Sequence, residues 1–334
     1  MNPEVRCPGG CGGRRRVIRG LLAADLLIAA ILLCIFSTLS AGDFDPERSA
    51  FRVKFRDEIS PYRITGVFVL PGERLEIEIP GGDTPIACRL DARTGSTLER
   101  GRNKWIWEAP DQPGDVLVVI HCPGSGDSVM LNVFVIVPLD SLKDGYLNDY
   151  CIGEYPSRPL NDLPIYARPK GFIEVTETNL SRLVSPHFRI GQFICKQAGT
   201  YPKYVVLRER LVLKLELILE NFNEAGYRYD TFHIMSGYRT PHYNEAIGNV
   251  KYSRHLWGGA ADIYADGNRD GMMDDLNGDG RTDYRDADIL YGIIDRMYGK
   301  PWYERFVGGL ARYKKATSHG PFVHVDVRGV RARW

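Results

Sequence analysis

The segment from Gly20 to Gly42 constrains this chain more than any other, because it is a mostly apolar run broken by a single charge, Asp25. Backbone groups in lipid must find partners within their own segment, so a run of this kind crosses a bilayer only as a helix. Such a helix needs about 20 residues at about 1.5 Å rise each, and this segment just reaches that length. Arg6, Arg14, Arg15, Arg16 and Arg19 precede it, while Asp43, Asp45 and Glu47 follow it. That asymmetry fits a cytoplasmic basic tail (residues 1–19), a membrane anchor (20–42) and an exported body. A cleaved signal peptide with Leu26–Phe36 as its apolar heart is the competing reading, and a buried helix is the third. Ser40, Ala41 and Gly42 match a cleavage site poorly, and Leu33 before Cys34 argues against lipidation. Anchor and signal alike put the remaining residues outside the cytoplasm. The expectation is a single-pass protein of the cytoplasmic membrane, with its N-terminus inside and its main body periplasmic or otherwise extracytoplasmic.

Seven cysteines bear on that expectation. Cys7 and Cys11 precede the apolar run, on the reducing side, and with no histidine near them they read as part of a flexible tail. Cys88, Cys122, Cys151 and Cys195 follow it, where disulfides form. Pairing Cys88 with Cys122 and Cys151 with Cys195 keeps each bridge within one domain and is the favoured set among three; free buried thiols are the alternative. Lys plus Arg totals 43 and Asp plus Glu 42, so no overall field draws the chain to nucleic acid.

Residues 50–140 read as short strands. In Arg74–Ile79 the apolar Leu75, Ile77 and Ile79 alternate with Arg74, Glu76 and Glu78, the two-residue period of a half-buried strand. Val67–Leu70, Ile86–Leu90, Lys104–Trp107, Val116–His121 and Val129–Val137 look similar, with Pro71-Gly72, Gly81-Gly82, Pro110 to Gly114 and Pro123 to Gly126 as turns. Six or seven strands of this kind predict an all-β, immunoglobulin-like sandwich. No cluster of chemistry-bearing residues lies in it, so a spacer or wall-binding role is the default. A connector rich in Pro, Gly and Tyr follows (141–172). From 173 to 334 the pattern becomes α+β. Leu211, Leu215, Leu219 and Phe222 mark an amphipathic helix over Leu207–Ala225, stopped by Gly226. Strands are expected at Thr231–Met235, Gly259–Tyr264 and Phe322–Arg328, and a second helix at Asp286–Tyr298.

Two stretches of this last region supply plausible metal ligands. His255 precedes Asp262 by seven residues in Ser253-Arg-His-Leu-Trp-Gly-Gly-Ala-Ala-Asp262, and His324 lies in Phe322-Val-His-Val-Asp326. Zinc accepts imidazole nitrogen and carboxylate oxygen, and a catalytic site keeps three protein ligands and one open position. Gly258 and Gly259 would permit a tight return between His255 and a strand bearing Asp262. On His324's strand, His324 and Asp326 share one face and Val323 and Val325 the other. Two adjacent strands could then bring His255, Asp262 and His324 onto one ion, although a His beside an Asp is more often a structural hydrogen bond.

The pattern Ser253, His255, Gly258, Ala260 and Asp262, followed later by His324, resembles the zinc D-Ala-D-Ala carboxypeptidases and related murein endopeptidases of the M15 class. Ser236-Gly-Tyr-Arg-Thr-Pro241 resembles the same family's arginine-bearing segment, and the ending from Val323 to Trp334 is similar to the murein endopeptidase K branch. The likeness covers roughly residues 149–334 and leaves the sandwich aside. It implies a zinc peptidase fold of the D-Ala-D-Ala carboxypeptidase type acting on peptidoglycan stem peptides, with His255, Asp262 and His324 as ligands of one catalytic zinc. It also implies a bound water activated by that zinc, and Arg239 holding a substrate carboxylate beside Ser236 and Tyr238. Many members carry an acidic general base three residues before the last ligand. Here that position is Pro321, which can neither accept nor donate a proton. His319 and Asp326 are the candidates for proton transfer, Asp326 reading better as a residue that orients His255 or Arg239.

An acidic insertion (266–286) separates these motifs. Asp275, Asn277, Asp279, Gly280, Asp283 and Asp286 fall at positions 1, 3, 5, 6, 9 and 12 of a calcium loop followed by a helix, as in EF-hand and dockerin modules. An overlapping frame begins at Asp266, Asn268, Asp270 and Gly271. A structural calcium ion is one reading and a solvated acidic loop the other. Three functions remain open: a peptidoglycan peptidase, a non-catalytic wall-binding protein with a structural zinc, and a calcium-dependent adhesion protein.

Overall fold

The computed structural model describes residues 44–81 and 87–334, which makes the basic tail, the Gly20–Gly42 segment, Cys7, Cys11, Cys34 and Ile86 fall outside the described residues. Among the described residues no helix is long and apolar enough to cross a membrane. Residues Phe44–Trp334 form one compact unit.

Alternation builds the first part. Strands β1 (Arg48–Phe55), β2 (Glu58–Tyr62), β4 (Arg74–Glu78), β6 (Ser96–Gly101) and β7 (Lys104–Glu108) form one sheet in the order β2-β1-β4-β7-β6. Strands β3 (Ile64–Val69), β5 (Arg89–Ala92), β8 (Gly114–Cys122) and β9 (Asp127–Val135) form a second, ordered β3-β9-β8-β5. Leu75 and Ile77 of the first sheet and Val116, Val118 and Ile120 of the second share a buried core with Trp105 and Trp107. The Cys88–Cys122 bridge forms within it. β1, β2 and β6 are strands that periodicity did not reveal, since β1 and β2 keep charged or polar residues among their apolar ones and β6 is mostly polar. The second expected bridge is absent: Cys151 and Cys195 are free thiols. Cys151 faces Tyr146 across a two-residue strand pair, whereas Cys195 is buried in a different cluster, packed with the helix of the second part.

That second part is centred on a five-stranded sheet. Its strands are β10 (His233–Ser236), β11 (Ala260–Tyr264), β12 (Gly309–Tyr313), β13 (Phe322–Asp326) and β14 (Ala332–Arg333), in the order β10-β11-β13-β12-β14. All pairs are antiparallel except β12 with β14. Val323, Val325, Ala261, Ile263 and Leu310 turn to a core shared with helices α1 (Glu209–Glu224) and α3 (Tyr284–Met297). A short helix, α2 (Pro241–Ala246), starts at Thr240, whose side chain accepts from the Tyr243 amide. Asp283 and Asp286 reciprocally cap α3, each accepting a backbone amide of its first turn.

Helix α1 ties the two parts together. Tyr62, Phe68, Phe134 and Ile136 of the sandwich belong to the same apolar core as Leu211, Leu215, Leu219 and Phe222. Polar contacts run along the helix: Arg56 to Glu209, Arg210 to Glu58 and Arg48 to Glu220, with N···O distances of 3.0, 2.7 and 2.6 Å. Glu216 is fully buried and accepts from His187, whose Nδ1 lies 2.8 Å from Oε2. Burial opposes a charged His187, but the bond to Glu216 outweighs it and raises the imidazole pKa above its ordinary value. A histidine raised on folding stabilises fully below its unfolded pKa, about 6.5, and loses that contribution as pH rises through the folded value. The melting-temperature gap between wild type and His187→Gln is therefore expected to be widest below about pH 6. It should narrow in more alkaline buffer; a gap that grows with pH counts against a charged His187.

Candidate metal centre and cleft

Strand register assembles the site. Ser236 pairs with Asp262, and Asp262 with His324, so three side chains from β10, β11 and β13 form one row. Ala311 of β12 faces His324 from the other side. His255 joins the row from a single 3-10 turn, Arg254–Trp257. The turn closes at Gly258, in the left-handed region at φ 60°, where a Cβ would collide with the Val206 carbonyl. The chain then returns directly into β11.

His255, Asp262 and His324 each offer one atom, all within 4.8 Å of one another, and all three residues are buried at the wall of an open cleft of about 910 Å³. His255 donates from Nδ1 to the Gly237 carbonyl at 2.7 Å, which leaves Nε2 aimed at Asp262 Oδ1, 3.4 Å away. His324 presents Nδ1 to the same oxygen at 2.8 Å, while its Nε2 faces Asp326 Oδ2 at 3.4 Å. Two ligands of a tetrahedral zinc, each about 2.0–2.1 Å from it, stand about 3.3 Å apart, so the donor set fits that ion with small adjustment. No fourth His, Cys, Asp or Glu joins the group among the described residues.

Electrostatics match the geometry. Burial would raise the Asp262 carboxyl, but His255 and His324 hold it far below the usual carboxylate range. Burial pushes the His255 imidazole down; for His324 the same burial is outweighed by its bonds to Asp262 and Asp326, which lift it. Arg239 donates to Asp262 Oδ2 at 2.8 Å and to Ser236 Oγ at 2.9 Å. The guanidinium thus fixes the second oxygen of the carboxylate and leaves the first to the histidines.

Asp326 is placed behind His324, not beside His255 or Arg239. Its Oδ1 accepts from the Gly309 amide at 2.7 Å and both oxygens accept from Arg328 Nε at 2.8–3.0 Å. Buried Lys214 donates to its backbone carbonyl at 2.6 Å, and burial pushes that ammonium pKa down to about 7. A carboxylate so engaged orients His324 and has no free edge toward the cleft. A Cβ at Gly309 would occupy the place of Asp326 Oδ2, a requirement visible only once β12 and β13 are paired.

Tyr238 is a correction. Its side chain is buried away from the cleft, and its hydroxyl lies 2.8 Å from that of Tyr155, which donates to the Leu256 carbonyl. Ser236 and Arg239 do line the cleft, as does His319. His319 turns Nδ1 to the Gly320 carbonyl, 2.8 Å away, and its ring meets Phe322 edge-on. Pro321 is buried in the approach to β13. Spacing alone did not single out Tyr166, Lys196, Arg254, Tyr313 and Trp334 as cleft residues.

The acidic insertion is ordered by its own backbone. Asp275 accepts from the amides of Gly278, Asp279 and Gly280, and Asp286 from those of Leu276, Asn277 and Asp283. Asn277 Oδ1 accepts from the Asp279 amide and Asp279 from that of Arg281. Among the described residues, the only set of three or more His, Cys, Asp or Glu side chains with atoms gathered within 4.8 Å is His255, Asp262 and His324.

Residues 187–280 match the family model Peptidase M15, a stretch that contains Ser236, Arg239, His255 and Asp262 and ends before His324. The match supports an M15-family peptidase domain in this part of the chain. No curated protein matches the chain. If Asp326 acts by orienting His324, Asp326→Asn should weaken zinc binding about 10–100-fold in a chelator competition. Unchanged zinc affinity with lost turnover would instead give Asp326 a direct part in proton transfer.

Proposed function

We propose that the chain is a zinc metallopeptidase that hydrolyses peptide bonds in peptidoglycan stem peptides on the outer side of the cytoplasmic membrane. The observation that carries this reading is the open fourth side of the His255, Asp262 and His324 set, which lies at the wall of an open cleft of about 910 Å³. A structural zinc is closed by four protein ligands, whereas a catalytic one keeps a position free. The M15 match over residues 187–280 supports the same class of chemistry. Export rests on the Gly20–Gly42 segment and on the Cys88–Cys122 bridge, which belongs to an oxidising compartment.

His255, Asp262 and His324 would hold a zinc ion, which would supply a water of lowered pKa and polarise the scissile carbonyl. Gly237's carbonyl and Asp326 fix the two imidazoles so that His255 presents Nε2 and His324 presents Nδ1. Arg239 holds Oδ2 of Asp262 and so would leave Oδ1 to the ion. We assign proton transfer to His319, which lines the cleft, in place of the acidic residue whose position Pro321 occupies. The bond cut is a terminal D-Ala-D-Ala bond or a crosslink between two stems.

Muropeptide analysis of purified peptidoglycan tests the reading. Wild type should release shortened stems or uncrosslinked monomers, and chelation or His324→Ala should abolish release, at least about 10³-fold, with bound zinc lost from the variant. Binding to peptidoglycan without any released product would make it a wall-binding protein.

For the insertion we retain a structural calcium on the spacing of Asp275, Asn277, Asp279, Asp283 and Asp286. Millimolar calcium is then expected to raise the melting temperature of wild type by a few degrees and to leave an Asp275→Ala, Asp279→Ala double variant unmoved. No shift in wild type would leave a solvated acidic loop.

A further inference from the structure

The cleft carries more positive charge than its own walls balance. Lys196, Arg239, Arg254 and Arg328 line it, against one acid, Asp262. Arg239 is paired with Asp262, and Arg328 with Asp326 behind the wall. Arg254 differs from both. Its guanidinium carbon sits over the Tyr166 ring, 3.8 Å from the centroid, and its Nη1 is buried with no hydrogen-bond partner among the described residues. Arg182 and Arg305 also bury an unpartnered nitrogen, but each of those uses another nitrogen on a carbonyl or carboxylate of the chain.

The platform under Arg254 is rigid. Tyr166 is buried, with Tyr252 and Trp257 meeting it edge-on at 5.6 and 5.1 Å. Arg254 also directly precedes His255 and rides on the same Arg254–Trp257 turn, so its position relative to the metal ligands is set by Gly258 and not by a mobile loop. Arg254 is half-buried and Asp326 acts on it only at a distance, so a carboxylate arriving in the cleft would give it the direct partner that the chain does not. Stacking on an aromatic face directs a guanidinium's N–H groups outward from its edge, the orientation in which a carboxylate accepts two parallel bonds.

We propose that Arg254, held over Tyr166, is a specificity-determining residue that binds a carboxylate of the peptide in the cleft. It would be the principal anionic anchor, because Arg239 is already committed to Asp262 and Ser236. The proposal rests on the peptidase reading of the same site. The carboxylate is that of the chain end or of an acidic side chain of the stem.

The test uses zinc-loaded full-length protein as wild type, Arg254→Gln and Arg254→Lys. The probe is a stem pentapeptide in three forms: free acid, C-terminal amide and side-chain amide. Both equilibrium binding and cleavage are measured. For the free acid, Arg254→Gln should raise Kd and KM about 10–100-fold, the scale of a charge-assisted bond pair, with Arg254→Lys intermediate. Against whichever amide lacks the recognised carboxylate, wild type should already be weakened by the same factor and the Gln variant should add nothing. That form identifies the carboxylate. Equal weakening toward all three forms, or none, overturns the proposal, as does a wild type that binds none of them. Melting temperatures show whether Tyr166 packing has failed, in which case the Lys variant decides. A preference for the acid that vanishes in the Gln variant, with no form cleaved, would defeat the peptidase reading and leave Arg254's role standing. Cleavage with an unchanged acid-to-amide ratio in the Gln variant would do the reverse.

Discussion

Asp262 is the carboxylate on which the site depends. It lies in β11, the strand between β10 and β13, and it meets His324 directly across the ladder. One of its oxygens faces both imidazoles and the other is held by Arg239. Without that division of labour the two histidines would present lone pairs to no common point, and Arg239 would be an unpaired cation in a buried wall. A strand pair sets such a row rigidly, because slipping by one residue would turn every side chain to the opposite face. The chemistry of the site is therefore tied to the same register that sends Ala261, Ile263, Val323 and Val325 into the core.

Support radiates from that row in layers. Asp326 and Gly237 set the ring orientations, Arg328, Lys214 and the Gly309 amide hold Asp326, and α1 brings Lys214. The same helix turns Glu209, Glu216 and Glu220 toward Arg56, His187 and Arg48. The sandwich is thus joined to the back of the domain that bears the site through α1, by a shared apolar core and by ion pairs. The acidic partners Glu216 and Glu220 are buried, Glu216 fully, so much of their attraction offsets lost hydration and the shared apolar core is the stronger tie.

Much of this was legible beforehand where a local rule governs. The two-residue period marked β4, β7 and β8, and the three- and four-residue spacing of Leu211, Leu215, Leu219 and Phe222 marked α1. The motif around His255 and Asp262 pointed to a metal through its resemblance to the M15 zinc peptidases, since its spacing alone fits a structural hydrogen bond as well. What escaped were elements whose signal is not local. β6 is mostly polar, and β12 begins at two adjacent glycines that look like a turn until Asp326 is seen to need the space. Tyr238 stood inside a motif and was given its neighbours' role, yet it faces the core. Cys151 and Cys195 paired on counting and not on position.

By itself the sequence determined which chemical groups are present and which short segments are extended or helical, since propensity and periodicity act over a few residues. It also carried the ligand types, two imidazoles and a carboxylate. Only the tertiary structure decided which nitrogen of each imidazole is presented and which arginine is already neutralised. It also decided which aspartate supports a ligand and which would be one. Those are matters of ångström-scale distance between residues far apart in the chain, as His324 and Asp262 are at 62 positions, and they come into being only when strands pair. Hydrogen bonds and ion pairs fall off within that distance, so a residue's identity fixes what it can do and its partners fix what it does.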